Sequence, residues 1–301
     1  MKKGIALIAM MVLLLSAACA DARVLPMDLS PGAPYEGKYQ PGTEQVYEDP
    51  TIRVERYRVD RVDSAWTCAY YYAIITIADA SQLRTYPADG EDFCSNTKIP
   101  VNKLAKRMNA VLAINGDFPA TFSGNTSNTY VLRQGQLYRD TVEPGLDMLI
   151  IDEDGDFHIF TRDEDLEGMD KTQVNGKKAV NVFQFGPALV IDGQKVDDET
   201  LLDQSHSPAH AHPHQREQRM VIAQIDKLKY MVLCVAHWGA DLPTMRDLAM
   251  SIADCQNVFV LDGGNSAQMV FLGTICNNTE NNTDPRKIAD IIYFASANFE
   301  D

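Results

Sequence analysis

The sequence has little positive charge for its length. Of 301 residues, 27 are Lys or Arg and 42 are Asp or Glu, so the formal net charge is −15. A nucleic-acid partner is excluded, because no basic excess is available to displace the counterions of a phosphate backbone. The hydrophobic fraction of 45% is that of an ordinary globular protein, and the length is sufficient for one large domain.

Cysteines are also few, and none of the 6 belongs to a Cys-x-x-Cys pair. A zinc site therefore has no support. Five cysteines follow Cys19, so at least one of them has no partner within the chain. A disulfide between Cys68 and Cys94 is one alternative outside the cytoplasm, whereas Cys234 lies in an apolar run that is typical of a small core residue.

The acidic run at 152–156 begins like a calcium loop. It lacks the later Glu and the flanking helices of that motif, so a solvated hairpin turn is the better interpretation. We expect no metal and no cofactor.

Long apolar runs are absent apart from the first 20 residues. Two lysines, a short apolar core and a small-residue exit are typical of a secretory signal peptide at 1–20, too short to span a membrane comfortably. Cleavage before Asp21 and lipidation at Cys19 both remain open. The protein is thus expected to be secreted or extracytoplasmic, and to meet a membrane only through a lipid on Cys19.

Beyond the signal peptide, residues 21–50 are rich in Pro, Gly and acids, and we interpret them as a linker or weakly ordered lead-in. Residues 51–301 form one predicted domain of the α+β class, with a mixed, largely antiparallel sheet and few helices. Predicted helices cover 100–108 and a segment that Thr244 caps and that runs to Cys255.

Two buried strands end in polar residues and glycine. The apolar run 258–261 precedes Asp262-Gly263-Gly264-Asn265-Ser266, and the run 110–114 precedes Asn115-Gly116-Asp117. Glycine lets a backbone turn sharply and approach a ligand closely, and a polar strand end on a rigid scaffold is a common place for a site. A plain turn that Asp262 caps is the alternative interpretation.

These residues belong to an ordered series of short motifs. Asn115-Gly116-x-Phe118 is followed by Phe185-Gly186-Pro187, then Arg219, then Leu261-Asp262-Gly263-Gly264-x-Ser266, then Arg286. In this order the motifs resemble the phosphodiester glycosidase family, from about residue 69 to the C-terminus. The resemblance implies an α+β domain that hydrolyses the bond between a sugar's anomeric carbon and a phosphate.

Such a reaction passes through an oxocarbenium-like state and needs a carboxylate near the anomeric carbon and a cation for phosphate. Asp262 is the first choice for the carboxylate and Asp117 the second, and His237 and His214 are candidates to transfer a proton. The predicted substrate-binding residues are Asn115, Gly116, Arg219, His214, Gly263, Gly264, Asn265, Ser266 and Arg286. The expected partner is a sugar phosphate or a cell-wall glycan.

The chain departs from the family pattern at three positions. Asn265 stands where the family has a third glycine, Met220 follows Arg219 in place of Thr, and His237 follows a strand where an Asp-Gly-Arg-like turn is usual. These changes leave a second hypothesis open, in which the protein is a catalytically inactive surface module that binds glycan or a phosphate polymer.

Overall fold

The structure is a computed structural model. It describes residues 38–40, 44–62, 67–117, 128–203, 212–277 and 286–297 together with Gly32, without the side chains of 38–40, 61–62, 67–68 and 236–238. The predicted signal peptide and Phe118 lie outside the described residues. Within them, no helix is long and apolar enough to cross a membrane.

A large sheet of nine strands forms one layer of the domain. Its strands are β1 (Lys38–Gln40), β2 (Glu44–Glu48), β3 (Ile52–Val62), β4 (Thr67–Ile77), β13 (Ala188–Ile191), β14 (Gln194–Lys195), β15 (Glu217–Asp226), β16 (Lys229–Ala240) and β17 (Asn257–Leu261). They lie in the order β1-β2-β3-β4-β16-β15-β17-β13-β14.

Two smaller sheets complete the domain. One has the order β19-β18-β6-β20-β5, and its strands are β5 (Leu83–Pro87), β6 (Ala110–Asn115), β18 (Met269–Phe271), β19 (Thr274–Ile275) and β20 (Asp290–Ala295). The other has the order β10-β9-β12-β7-β8, with β11 beside β12. Its strands are β7 (Val131–Arg133), β8 (Gln136–Arg139), β9 (Asp147–Asp152), β10 (Phe157–Phe160), β11 (Gln173–Val174) and β12 (Lys177–Phe185).

Helices are few, as predicted. They are α1 (Val101–Arg107), α2 (Asp198–Leu202) and α3 (Leu242–Ile252), with short 3₁₀ turns at Ala80–Gln82 and Gly264–Ser266. Every strand pairing recorded in the described part of the chain is antiparallel. The predicted α+β class with a largely antiparallel sheet is therefore confirmed.

The main core lies between the large sheet and the five-stranded sheet. Tyr230 of β16 and Phe294 of β20 have ring centroids 5.6 Å apart, and Phe259 and Ile114 belong to the same buried cluster. Residues 230–235 of β16 and 291–295 of β20 are continuous apolar runs and are buried throughout, so both strands contribute apolar side chains on both faces. Cys234 is buried in this core, as expected, and the Cys94 thiol is free, so it is not bonded to Cys68.

The cap of α3 differs from the prediction. Asp241 is the N-cap, and its carboxylate accepts a hydrogen bond from the backbone N–H of Thr244 at 2.8 Å. Thr244 was the wrong choice because it already lies inside the first turn, after Pro243. An aspartate three residues upstream fits the usual capping geometry better.

Part of the 21–50 lead-in is ordered, in contrast to the expectation. β1 and β2 extend the large sheet, Tyr47 is buried, and the Asp49 carboxylate accepts a hydrogen bond from Ser296 at 2.7 Å. Three backbone or hydroxyl donors from Thr51 and Ile52 also reach Asp49. Antiparallel pairing of β2 with the neighbouring β3 and the contact of Asp49 with the distant Ser296 place this stretch in the fold.

The acidic run at 152–156 forms the turn of the β9–β10 hairpin. Two ammonium groups form ion pairs with it: Lys177 lies 2.7 Å from Asp154, and Lys227 lies 2.9 Å from Asp156. The Asp152 carboxylate also contacts His158 at 2.9 Å. The run is therefore an ion-pair cluster on a hairpin, as the turn interpretation predicted.

Candidate active site

Asp262 follows directly after β17, where the chain leaves the large sheet. The next residue must be glycine, because a Cβ at Gly263 would lie 2.6 Å from the carbonyl oxygen of Gln218 on β15. Gly264 has φ +55°, a conformation that glycine adopts without strain. The two glycines turn the chain into the 3₁₀ segment and leave the Asp262 side chain partly exposed at the end of the sheet.

The Asp262 carboxylate is held by groups from its own turn. It accepts hydrogen bonds from the Ser266 hydroxyl and from the Gly263 N–H. Burial raises its pKa to about 6, these bonds and the charge of Arg286 oppose the rise, and the charge of Asp117 adds to it. At neutral pH the group is mostly ionised, yet it binds a proton far more readily than an ordinary aspartate.

Arg286 is the cation beside this carboxylate. Its Nη1 donates to the Ser266 hydroxyl oxygen at 3.2 Å, and its backbone N–H donates to the Asn265 carbonyl at 3.1 Å. Its own carbonyl accepts a bond from Gln268 Nε2 at 2.7 Å. The sequence brought Asp262, Ser266 and Arg286 into one predicted site, and the structure places them in contact.

Asn115 joins the two strand ends that the sequence singled out. Its Nδ2 donates to the Asp262 carbonyl at 2.8 Å, and its Oδ1 accepts from the Gln268 N–H at 3.2 Å. The side chain is buried, with 1% of its surface exposed. These contacts position the Asp262 turn, and direct binding of substrate by Asn115 stays a prediction.

Behind Asp262 lies a buried group of charges that the sequence pattern predicted only in part. Arg133, at the end of β7, donates from Nη2 to Asp117 at 2.6 Å, and its Nε lies 3.5 Å from Asp290 at the start of β20. The guanidinium also stacks over the ring of Phe183, 4.1 Å from its centroid. Asp117 was predicted as the second catalytic carboxylate, whereas Arg133 and Asp290 were not predicted to have a role.

The two missed residues did leave a signal in the sequence. Asp290 is a lone carboxylate in the otherwise apolar run Ile288 to Ala295, and such groups are rarely buried unless they are paired. Its partner lies 157 positions away, so the pairing itself is not readable from spacing.

Gly116 is essential for the geometry of this cluster. A Cβ at this position would overlap the carboxyl group of Asp290, and the Gly116 N–H donates to the Asp290 carbonyl at 3.2 Å. Gly116 was predicted to lie near substrate, and the structure shows it packed against a buried acid. Close approach of backbone to a side chain accounts for the glycine.

Arg219 lies on β15, whose residue Met220 pairs with Leu261. Its guanidinium is buried and donates to the carbonyls of Ala240 at 3.1 Å, His212 at 2.8 Å and Gln215 at 3.0 Å. These bonds fix the segment before β15 to the end of β16. These carbonyls occupy several of the guanidinium N–H donors that a phosphate would use, so a phosphate-binding role for Arg219 stays a prediction.

The remaining predicted residues divide between exposed and undescribed positions. Asn265 is exposed on the 3₁₀ turn, and His214 is exposed on the turn before β15. Met220, one of the departures from the family pattern, is buried in the core. The backbone of His237 lies in β16, but its side chain lies outside the described residues.

Comparison with known proteins identifies the architecture. The family model described as phosphodiester glycosidase matches residues 108–295, more than half of the chain. No curated protein sequence matches the chain significantly.

Two solved structures share the fold. The catalytic domain of zebrafish N-acetylglucosamine-1-phosphodiester α-N-acetylglucosaminidase, auto-inhibited by its pro-peptide, matches with a TM-score of 0.65 and 17% identity, over 92% of this chain and 98% of that one. A hypothetical protein from Synechocystis matches with a TM-score of 0.55 and 14% identity, over 84% and 64% of the two chains. At these identities the structures show a common fold, and the family model shows the kinship: the chain belongs to the phosphodiester glycosidase family.

Proposed function

We propose that the protein is a hydrolase that cleaves the bond between a sugar's anomeric carbon and phosphate in a sugar-1-phosphodiester of an extracellular or cell-surface glycan. The observation that carries this proposal is the Asp262–Ser266–Arg286 group, in which a partly exposed carboxylate lies beside a partly exposed guanidinium. Family membership supports the type of bond, which is also the bond that the name of the zebrafish enzyme specifies. The predicted signal peptide supports an extracytoplasmic substrate.

Arg286 supplies the phosphate contact. A guanidinium binds phosphate oxygens through two parallel hydrogen bonds, and it stabilises the negative charge that grows on phosphate as the bond breaks. Ser266 binds the guanidinium of Arg286, and the Asn265 carbonyl binds its backbone N–H. These two contacts hold the guanidinium next to Asp262 before substrate binds. A group that is already in position stabilises the charge of the transition state without having to reorganise during the reaction.

Asp262 supplies the negative charge at the anomeric carbon. When the C1–O bond breaks, its electron pair leaves with the phosphate oxygen and positive charge develops on the sugar ring. An ionised carboxylate stabilises that charge, and a water molecule finally delivers its hydroxyl to C1 and its proton to the departing phosphate. Phosphate is a good leaving group, so strong general-acid assistance is unnecessary.

A direct assay tests the proposal. The protein is incubated with methyl and glycerol phosphodiesters of N-acetylglucosamine 1-phosphate and with teichoic-acid-like polymers, and released sugar is measured. A matched set of ordinary glycosides without phosphate shows whether phosphate is required. Release only from phosphodiesters supports the proposal, and no release from any of them would exclude it.

The inactive binding module is the second candidate, because Asn265 replaces a family glycine at an exposed position of the Asp262 turn. Binding of the same phosphodiesters without any sugar release, in the wild type and in Asn265→Gly alike, is the outcome that favours this alternative. Activity that appears only in Asn265→Gly identifies this residue as the cause of the loss.

A further inference from the structure

Two buried carboxylates share one guanidinium behind the Asp262 turn. Asp117 and Asp290 are 5% and 1% exposed, and Arg133, the cation between them, has no exposed surface. A buried charge is costly unless an opposite charge and hydrogen bonds compensate it. One cation cannot compensate two buried anions, so the pair is expected to hold one proton, as neighbouring carboxylates commonly do.

Hydrogen-bond donors decide which carboxylate carries the proton. Asp117 receives Arg133 Nη2 at 2.6 Å on one oxygen and the Gln184 N–H at 3.1 Å on the other. Asp290 has only the long 3.5 Å contact of Arg133 Nε on Oδ2, and its Oδ1 has no partner among the described residues. Donors favour the ionised form and their absence favours the neutral one, so the proton belongs on Asp290.

The neighbours of Asp290 reinforce this assignment. On β6 and its end, Gly116 packs against the carboxyl group and Asp117 adds negative charge, while β17 contributes the charge of Asp262. On the neighbouring strand β5, Asp290 pairs with the uncharged Pro87. Burial together with the two aspartates raises the pKa of Asp290 to about 8, against the opposing effect of Arg133.

We propose that Asp290 is a positioning residue that remains a neutral carboxylic acid behind Asp262 and so keeps the site receptive to an anionic phosphodiester. With Asp290 protonated, Arg133 and Arg286 lie beside the carboxylates of Asp117 and Asp262, and the charge of Arg139 also acts on Asp117. Loss of the Asp290 proton adds a negative charge to a site that must bind phosphate. This inference rests on the proposed function for the nature of the ligand.

The proton also protects the ionisation of Asp262. The charge of an ionised Asp290 would act on Asp262, as the charges of Asp117 and Asp262 act on Asp290. A second nearby anion disfavours the charged form of a carboxyl group. A neutral Asp290 therefore leaves Asp262 able to ionise near pH 6, well below the pH at which Asp290 itself loses its proton.

The protonation state is measured without any substrate. In the protein labelled with ¹³C at the aspartate carboxyl carbon, one signal is expected to titrate near pH 8 and to disappear in Asp290→Asn. Asp152→Asn is the matched control, since it removes a buried carboxylate from the β9–β10 hairpin and should leave that signal in place. The proposal is overturned if no aspartate carboxyl signal of the wild type is still protonated at pH 7, an outcome that can be read even if Asp290→Asn does not fold.

Ligand binding is measured with a molecule that cannot be cleaved. A C-glycosyl phosphonate methyl ester replaces the bridging oxygen with a methylene group and keeps one negative charge between pH 6 and 9. Wild-type affinity is expected to fall about tenfold from pH 7 to pH 9, following the loss of one proton, whereas Asp290→Asn should be unchanged over this range. Equal falls in both proteins would overturn the proposal.

The cleavage of a phosphodiester is measured in a separate experiment. In the wild type, kcat/KM for a phosphodiester should fall on the alkaline side with an apparent pKa near 8, and Asp290→Asn should lose this limb while it keeps the acid limb near pH 6. An alkaline limb that persists in Asp290→Asn contradicts the assignment to Asp290. If no phosphodiester is cleaved, the proposed function fails, while the carboxyl titration and the phosphonate affinity still decide the role of Asp290.

Discussion

The molecule contains two acidic clusters with opposite properties. The first, on the β9–β10 hairpin, is dense in sequence, forms ion pairs with Lys177 and Lys227, and contacts His158. Burial raises the pKa of Asp152, but hydrogen bonds from His158 and the backbone, with the charge of Lys177, lower it below its ordinary value. Lys177 and Lys227 both contact Asp156 as well, and the pKa of its carboxyl group also lies below its ordinary value.

The second cluster joins Asp117, Asp262 and Asp290, which are scattered along the chain and meet only in the fold. Here burial dominates and raises the pKa of all three carboxyl groups. Groups with perturbed pKa values near a cleft are typical of functional sites. A conspicuous acidic run can therefore have a structural role, whereas isolated acids at strand ends can form the site.

The largest expected effect distinguishes the two clusters by activity. Asp262→Asn should lower kcat/KM for a sugar-1-phosphodiester by about 10³-fold, because the neutral amide cannot stabilise charge at the anomeric carbon. Asp152→Asn should stay within about twofold of the wild type, since it removes a charge from the hairpin cluster only. Parental activity in Asp262→Asn would show that the carboxylate has another role.

Removal of a cation should separate the clusters by stability. Arg133→Met leaves Asp117 buried without its ion partner, and the free energy of unfolding should fall by about 3 kcal/mol in chemical denaturation. Lys177→Met is the control, and its effect should be much smaller because Lys177 is partly exposed and shares its acids with Lys227. Similar losses in both variants would mean that burial does not distinguish the clusters.

A smaller loss of stability is expected where the backbone of Gly116 packs against the Asp290 carboxyl group. Gly116→Ala should destabilise the protein by about 1–3 kcal/mol, because the added methyl group overlaps the Asp290 carboxyl group. In the Asp290→Ala background the same change should cost much less, since the obstructing group is gone. A double-mutant cycle in urea measures this coupling, and additive effects would argue against direct contact.

Measured per pH unit, the smallest effect is a slope of the free energy of unfolding with pH. The native pKa of Asp290 lies above its unfolded value of about 4, so the native state binds an extra proton between about pH 4 and pH 8. Its contribution to stability is complete below pH 4 and is lost as pH rises toward 8, at about 1.4 kcal/mol per pH unit for one proton.

The Asp290→Asn variant should remove this slope. Asp152 should show the opposite sign, because its pKa is lowered in the native state and its contribution is lost as pH falls. Thermal denaturation of the wild type, Asp290→Asn and Asp152→Asn from about pH 2 to pH 8 compares the two, because the contribution of Asp152 is lost only below its unfolded pKa of about 4. A wild-type profile that Asp290→Asn leaves unaltered would contradict the assignment.

The sequence predicted those parts of the site that depend on local pattern. Apolar runs that end before Asn115 and Asp262 predicted two buried strands with polar ends, and the glycines after them predicted tight turns. The ordered motifs added Ser266 and Arg286, which contact each other in the structure. The fold class followed from many short strands with few helices, and it is confirmed.

Long-range pairings account for what the sequence did not predict. Arg133 lies at a hairpin turn and Asp290 in an apolar strand, and no spacing rule connects them. Arg219 had the residue type expected of a phosphate ligand, but a bulge in the pairing of β15 with β16 and three carbonyl partners determine where its guanidinium lies. In the lead-in, Asp49 likewise contacts Ser296, almost 250 residues further on.

An inner strand of the five-stranded sheet lies late in the sequence. β20 lies between β6 and β5, and it carries Asp290 at its first position. During synthesis Asp117 and Arg133 leave the ribosome more than 150 residues before this third partner. The five-stranded sheet cannot close, and the charge cluster behind Asp262 cannot be completed, until β20 has been made. A chain truncated before Asp290 therefore lacks both the strand that joins β6 to β5 and the protonated carboxylic acid of the charge cluster.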